Sequence, residues 1–399
     1  MLRPYRDVLE VRGAPGFVAA GLVARLPISM LGIGIVFLVE GSTGSYGLAG
    51  AVAATFGVVQ AAASPVVAGA VDRYGQARVM LPAIAVHVVG LLLLVASSVL
   101  HAPRWTTFMA AAIAGGTIGS IGALVRARWS YVLAGSTRRA ALLHTAFSLE
   151  AVLDEVVFVT GPILVTALAV GVTPVAGILT AAGAVAIGGT ALMLQRSTEP
   201  APSRTRPVQG TGVLRSRGMI VLVVAFVCVG GIFGAVDVAT VAFTADRGVP
   251  GAAGWVLAAF AFGSLLAGVG YGAVHWRSPA GRRFVLGVVL LAIGVAPVML
   301  VQQVVLLAVV VFVAGFAISP MLISGNALVQ ELVVPARLTE GLAWIATSIG
   351  LGVAAGSALT GAAVDVFGAH RAFTVPVVAG LLAAVVVLVF ARWLRPTAR

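Results

Sequence analysis

The sequence predicts an all-α membrane protein with twelve transmembrane helices arranged as two six-helix bundles. Three observations predict it. Of 399 residues, 60% are apolar and only 10% charged, where a soluble globule carries about 25% charged residues. Apolar runs close to the ~20 residues that cross ~30 Å of hydrocarbon recur along the whole chain, twelve in all. The longest polar break, Gln195 to Arg217, is rich in Pro, Ser, Thr and Arg and falls at the middle.

The first run, 17–39, follows Arg3, Arg6 and Arg12, is longer than a signal-peptide core and lacks a small-residue cleavage site. It reads as a retained helix. The next five are 47–70, 79–100, 106–127, 143–167 and 174–194. After the break come 219–243, 253–274, 284–301, 304–329, 340–364 and 374–393. The expected division is a first bundle over 1–194, a linker over 195–217 and a second bundle over 218–399. The halves echo each other at an offset near 200. Thr145-Ala146-Phe147-Ser148 lies opposite Ile345-Ala346-Thr347-Ser348, Gly161 opposite Gly361, and Arg73 opposite Arg277. Small residues at Ala114 to Gly119 and at Gly352 and Gly356 mark close helix approaches, whether static or sliding.

All 25 basic residues are arginine. Without lysine there is no Walker A loop, no P-type pump chemistry and no pyridoxal Schiff base. Neither a His-Glu-x-x-His pair nor a Gly-x-Ser-x-Gly elbow occurs, so the chain is read as a non-enzyme. The single cysteine, Cys228, excludes an internal disulfide, and no Cys/His cluster has metal-ligand spacing. Neither a cofactor nor a metal is expected. The net charge of +12 is explained by orientation. Only Arg104, Arg247 and Arg371 fall on one side and Arg25 within a helix, leaving 21 arginines for the other side. The arginine-rich side is therefore expected to be cytoplasmic, with both termini on the cytoplasmic side of the cell (plasma) membrane. The arginines meet anionic lipid headgroups, and no nucleic-acid partner is needed.

Ionisable side chains within spans are functional candidates by default. If the fifth helix starts near Leu143, Asp154 and Glu155 lie ~15 Å deep at ~1.5 Å per residue, with Glu150 one turn below Asp154. Arg25 in the first helix comes out at nearly the same depth, and is expected to meet Asp154 or Glu150. Two uses stay open. Either a carboxylate binds a proton when its arginine is displaced, or the pair is permanent and fixes how the two helices pack. Asp237 is a further candidate, placed near the outer edge of the seventh helix. Phe147, Phe158, Phe233, Phe243 and Trp344 could line an amphipathic cavity or simply pack, and Asn326 and Gln330 are possible cavity donors. His87 reads as a residue hydrogen-bonded to a neighbouring helix, with a proton relay as the alternative.

Between the second and third runs stands Ala68-Gly69-Ala70-Val71-Asp72-Arg73-Tyr74-Gly75-Gln76-Ala77-Arg78. Asp72, Arg73, Gly75 and Arg78 resemble the Gly-x-x-x-Asp-Arg-x-Gly loop, followed by basic residues, of the major facilitator superfamily. Ala68 replaces the first glycine, and Gln76 and Ala77 stand where further positive charge is common. The resemblance implies that Asp72 contacts the start of the eleventh helix, near Thr339 and Glu340, in the state closed on the inside. A degenerate copy, Gly272-Ala273-Val274-His275-Trp276-Arg277, has Trp276 in place of the aspartate. Gly161-Pro162 in the fifth run resembles the centre of the motif linked with antiporter members, without the glycines that follow it there. The family resemblance implies a cavity lined by helices one, four, seven and ten, between halves that rock about it. It further implies a monomeric secondary transporter with a small-molecule substrate and protons as coupling ion. Efflux of a small organic or amphipathic compound is the first reading. Uptake of a sugar or other metabolite is the second, and a non-transporting membrane sensor is the reading from another class.

Overall fold

Hydrocarbon offers no partner for a backbone N–H or C=O, so an apolar chain crossing it closes its hydrogen bonds within helices. A computed structural model describes residues 3–202, 213–272, 274, 276–334 and 337–394, with the side chains at 3–5, 140–141 and 339 left out. Ala273 and His275 of the degenerate loop, Arg204, Arg206, Arg395 and Arg399, and the side chain of Thr339 lie outside the described residues. Among the described residues there is no strand, and twelve helices are long and apolar enough to cross a membrane. They are α1 (Ala14–Thr43), α2 (Tyr46–Tyr74), α3 (Gln76–Val99), α4 (Arg104–Val132), α5 (Leu142–Gly171) and α6 (Pro174–Leu194). The second six are α7 (Arg217–Asp246), α8 (Ala252–Gly272), α9 (Ala280–Leu300), α10 (Val304–Leu332), α11 (Glu340–Phe367) and α12 (Ala369–Val389).

The two halves pack alike. In the first, α1 lies on α5, α2 and α3 on α4, and α3 on α6; in the second, α7 lies on α11, α8 and α9 on α10, and α9 on α12. Each pair recurs six helices later, the arrangement of a parallel repeat. Between halves, α2 packs on α11 and α5 on α8. The predicted small-residue patches serve contacts within a half. Gly352 and Gly356 lie against the α7 backbone at Val227 and Gly231, and Gly115 lies against Phe56 of α2. Their role here is dense packing.

Several helices are interrupted. Pro27 withholds an N–H from α1, and Leu26 N–H takes the Val23 carbonyl instead at 3.3 Å. In α4 the helix stops at Thr117, Ile118 is extended, and Ser120 caps a new helix running to Val132. The break strands the Ala114 carbonyl, which would otherwise bond the N–H of Ile118. Buried His87 covers it, with Nδ1 2.7 Å from Ala114 O. A carbonyl can only accept, so Nδ1 carries the proton. Thr117 Oγ1 also donates to that carbonyl, at 3.1 Å, so replacing His87 with leucine leaves it this longer bond and is expected to cost about 1 kcal/mol, read as a lowered melting temperature in detergent.

Candidate functional site: an arginine-carboxylate network between α1, α4 and α5

The break at Leu26 and Pro27 leaves Arg25 on the last turn of the first α1 segment, buried and directed at α5. Each of its three guanidinium nitrogens donates. Nε donates to Gly21 O at 3.1 Å, Nη1 to Asp154 Oδ1 at 2.7 Å, and Nη2 to Glu150 Oε2. Arg25 therefore meets both of the carboxylates named from helical depth. Two further partners come from α4. Trp129 Nε1 donates to the other Glu150 oxygen at 2.9 Å, and Arg126 Nη2 donates to Asp154 Oδ2 at 2.6 Å.

Exposure divides this network. Arg25, Glu150 and Trp129 are 4%, 0% and 0% exposed, and Phe17 packs edge-on against the indole at 4.7 Å. Asp154 and Arg126 are open, their side chains 30% and 38% exposed. The inner trio is a closed, charge-matched unit. The outer pair is accessible.

Glu155 points elsewhere. Ser319 on α10 donates to its Oε1 at 3.3 Å, and Ser319 and Ser264 of α8 share a hydrogen bond of 2.8 Å. This carboxylate is thus tied across the interface between the halves, and it makes no ion pair among the described residues. Asp237 stands apart from the network. α7 continues to Asp246, beyond the predicted end, so Asp237 lies about 13 Å inside that end rather than at its edge. It is half-buried and makes no hydrogen bond or ion pair among the described residues. Phe147 and Asn326 are exposed, and Gln330 likewise. Phe233 packs on Phe260 within the second half at 6.1 Å, and Trp344 is half-buried against the core.

Gly161-Pro162 lies where α5 meets both α1 and α8. A side chain on Gly161 would run into Ser29, whose hydroxyl donates to Val157 O at 2.8 Å. On the far side, Gly254 of α8 sits against Pro162 O, Ile163 and Thr166. The pair thus serves as a packing junction. Gly161→Val is expected to destabilise the protein by about 1–3 kcal/mol through overpacking, read by thermal unfolding in detergent.

The face that carries the linker, here the linker face, holds a second polar cluster. α4 reaches Val132, so Arg128, just beyond the predicted run 106–127, belongs to the helix together with Arg126. Arg128 is buried, with Nε donating to Gln76 Oε1 at 2.8 Å and Nη1 to Gln195 O and Thr198 Oγ1 at 2.7 Å each. Glu199 accepts the Ala77 N–H at 3.0 Å, capping α3. In the adjoining loop motif, Arg73 lies over the Tyr74 ring at 5.1 Å, and Arg78 is exposed. Asp72 is exposed and makes no hydrogen bond or ion pair among the described residues. The contact expected with the start of α11 is not made in this conformation. Glu340 there instead accepts from Val213 N–H at 3.3 Å and Arg337 Nη1 at 3.4 Å. The halves meet toward the opposite, far face, where α2 and α11 touch at Gly50 and Ser357 and at Gly57 and Ala354.

Two repeated bundles of six spanning helices, the first holding a buried arginine-carboxylate network, have the architecture of a membrane transport protein. The sequence profile of the Major Facilitator Superfamily matches residues 17–276 and 238–399, and the chain belongs to that superfamily. It is a transporter and not an enzyme. No curated protein matches the sequence. Among solved structures, the nucleoside transporter NupG shares 13% identity at a TM-score of 0.72, over 97% of this chain and 100% of that one. The POT family transporter PepTSo shares 11% at 0.74, over 96% and 97%. The human organic anion transporter MFSD10 (TETRAN) shares 16% at 0.62, over 94% and 98%. At these identities the likeness is one of fold.

Proposed function

We propose that the protein is a proton-coupled exporter of a small organic compound, working by alternating access, with its linker face in the cytoplasm of a cell membrane. The observation that carries this reading is the partition of the network into a buried trio and an accessible rim. Arg25, Glu150 and Trp129 hold α1, α4 and α5 together through the cycle. Asp154 and Arg126 separate when substrate or a movement of α4 draws one of them away. Glu155, bonded across the two halves, is a second place where a proton removes a charge as the interface slides. Proton and substrate then compete for the same carboxylates, and that competition is the coupling.

Cytoplasmic placement of the linker face is supported by the arginine asymmetry. The export direction is supported by the resemblance of Gly161-Pro162 to the antiporter motif. A substrate panel on inside-out vesicles with an internal pH probe tests the proposal. Substrate entering the vesicles should drive protons out in wild type. Substrate flux with no proton movement would overturn the coupling, and accumulation only in right-side-out vesicles would overturn the direction.

A further inference from the structure

α11 ends as α2 ends. Ala70-Val71-Asp72-Arg73-Tyr74-Gly75 closes α2, and Ala363-Val364-Asp365-Val366-Phe367-Gly368 closes α11. The backbone geometry repeats as well. Gly75 has φ 95° and ψ 153°, and Gly368 has φ 84° and ψ 163°, a region open to glycine alone. Each donates its N–H to the valine four residues back, Val71 O or Val364 O, at 2.8 Å. Each is followed at once by the next helix. The two helices run antiparallel against each other across the interface between halves, so the two aspartates lie at opposite faces.

Their surroundings differ. Among the described residues Asp72 makes no hydrogen bond or ion pair, whereas Asp365 caps the N-terminus of α2. Ser45 Oγ donates to Asp365 Oδ2 at 2.7 Å, Tyr46 N–H to Oδ1 at 2.9 Å, and Gly47 N–H to Oδ2 at 2.9 Å. Ser45 is also the N-cap of α2, its Oγ accepting Leu48 N–H at 3.0 Å. A carboxylate there satisfies orphan backbone donors and meets the positive end of the helix. Gly361, one turn before Asp365, lets α11 approach the Tyr46 carbonyl.

We propose that Asp365 is the latch of the far-face gate, reciprocal to the contact that the superfamily resemblance implies for Asp72. Asp365 on the start of α2 holds the far face closed. In the opposite state that contact parts, and Asp72 on the start of α11 holds the linker face closed. α2 and α11 thereby form one lever, each offering a carboxylate at its C-terminus and an N-terminus to receive one. The inference rests on alternating access and not on the substrate or coupling ion proposed above.

The test needs no substrate. In a Cys228→Ser background, a cysteine at Ala354, 2% exposed and set against Gly57 of α2, reports opening of the far face. Reconstituted protein is labelled with a membrane-impermeant maleimide from that face. Asp365→Asn should raise the labelling rate at least about tenfold, the shift expected from losing a charge-assisted hydrogen bond in a two-state equilibrium. Adding Asp72→Asn should bring the rate back toward the parent, because the opened state then loses its own latch. An unchanged rate in Asp365→Asn overturns the latch. A rate that rises further in the double variant, as general loosening of the fold would give, overturns the reciprocity.

Discussion

Replacing Arg25 with leucine is expected to destabilise the protein by about 3–5 kcal/mol, the usual consequence of stripping one partner from a buried ion pair. Glu150 is fully buried, and after the substitution only Trp129 Nε1 faces its carboxylate. Asp154 keeps Arg126 and suffers less. Pairing Arg25→Leu with Glu150→Leu should recover more than half of the loss, since a packed apolar pair can replace a buried charge pair at little net cost. Thermal unfolding in detergent reads both variants. If Arg25→Leu melts with the wild type, the trio does not hold the helices together.

Asp154→Asn and Glu155→Gln should behave in the opposite way. Each keeps the shape of the side chain and the neighbouring donors, so melting temperatures should move little. Substrate-driven proton movement should fall about tenfold or more in at least one of them, while substrate exchange down its own gradient continues. The two sites separate by mechanism. Asp154→Asn frees Arg126 within the first half, and Glu155→Gln acts at the hydrogen bond from Ser319 of the second half. Full proton coupling in both variants would remove these carboxylates from the proton path.

The membrane fold was legible because it is written in composition and length, and twelve spans follow from twelve apolar runs. The meeting of Arg25 with α5 was legible for a related reason. A helix rises by a fixed step, so depth can be counted from sequence, and two buried charges at one depth find each other. Trp129 is not legible because α4 runs to Val132, five residues beyond its predicted end, and Arg126, inside the predicted run, counts from sequence only among the arginines of the linker side. No periodicity marks the α4 break. It shows only when His87 is found on a carbonyl that lacks its helical partner. Asp365 was overlooked although its signal was present. Its Ala-Val-Asp-x-aromatic-Gly segment repeats the loop motif, but on the far face it carries none of the arginines that draw attention to Asp72.

The most direct test of the account is a pair of spin-label distances in the Cys228→Ser background, one on each face and each spanning the two halves. Leu100 and Leu300, both exposed at far-face helix ends, report one gate, and Arg78 and Arg282, exposed at linker-face helix starts, report the other. Alternating access predicts that substrate or a pH step lengthens one distance while the other shortens, with the two populations moving in step. Two distances that stay fixed, or that vary independently of each other, would contradict it.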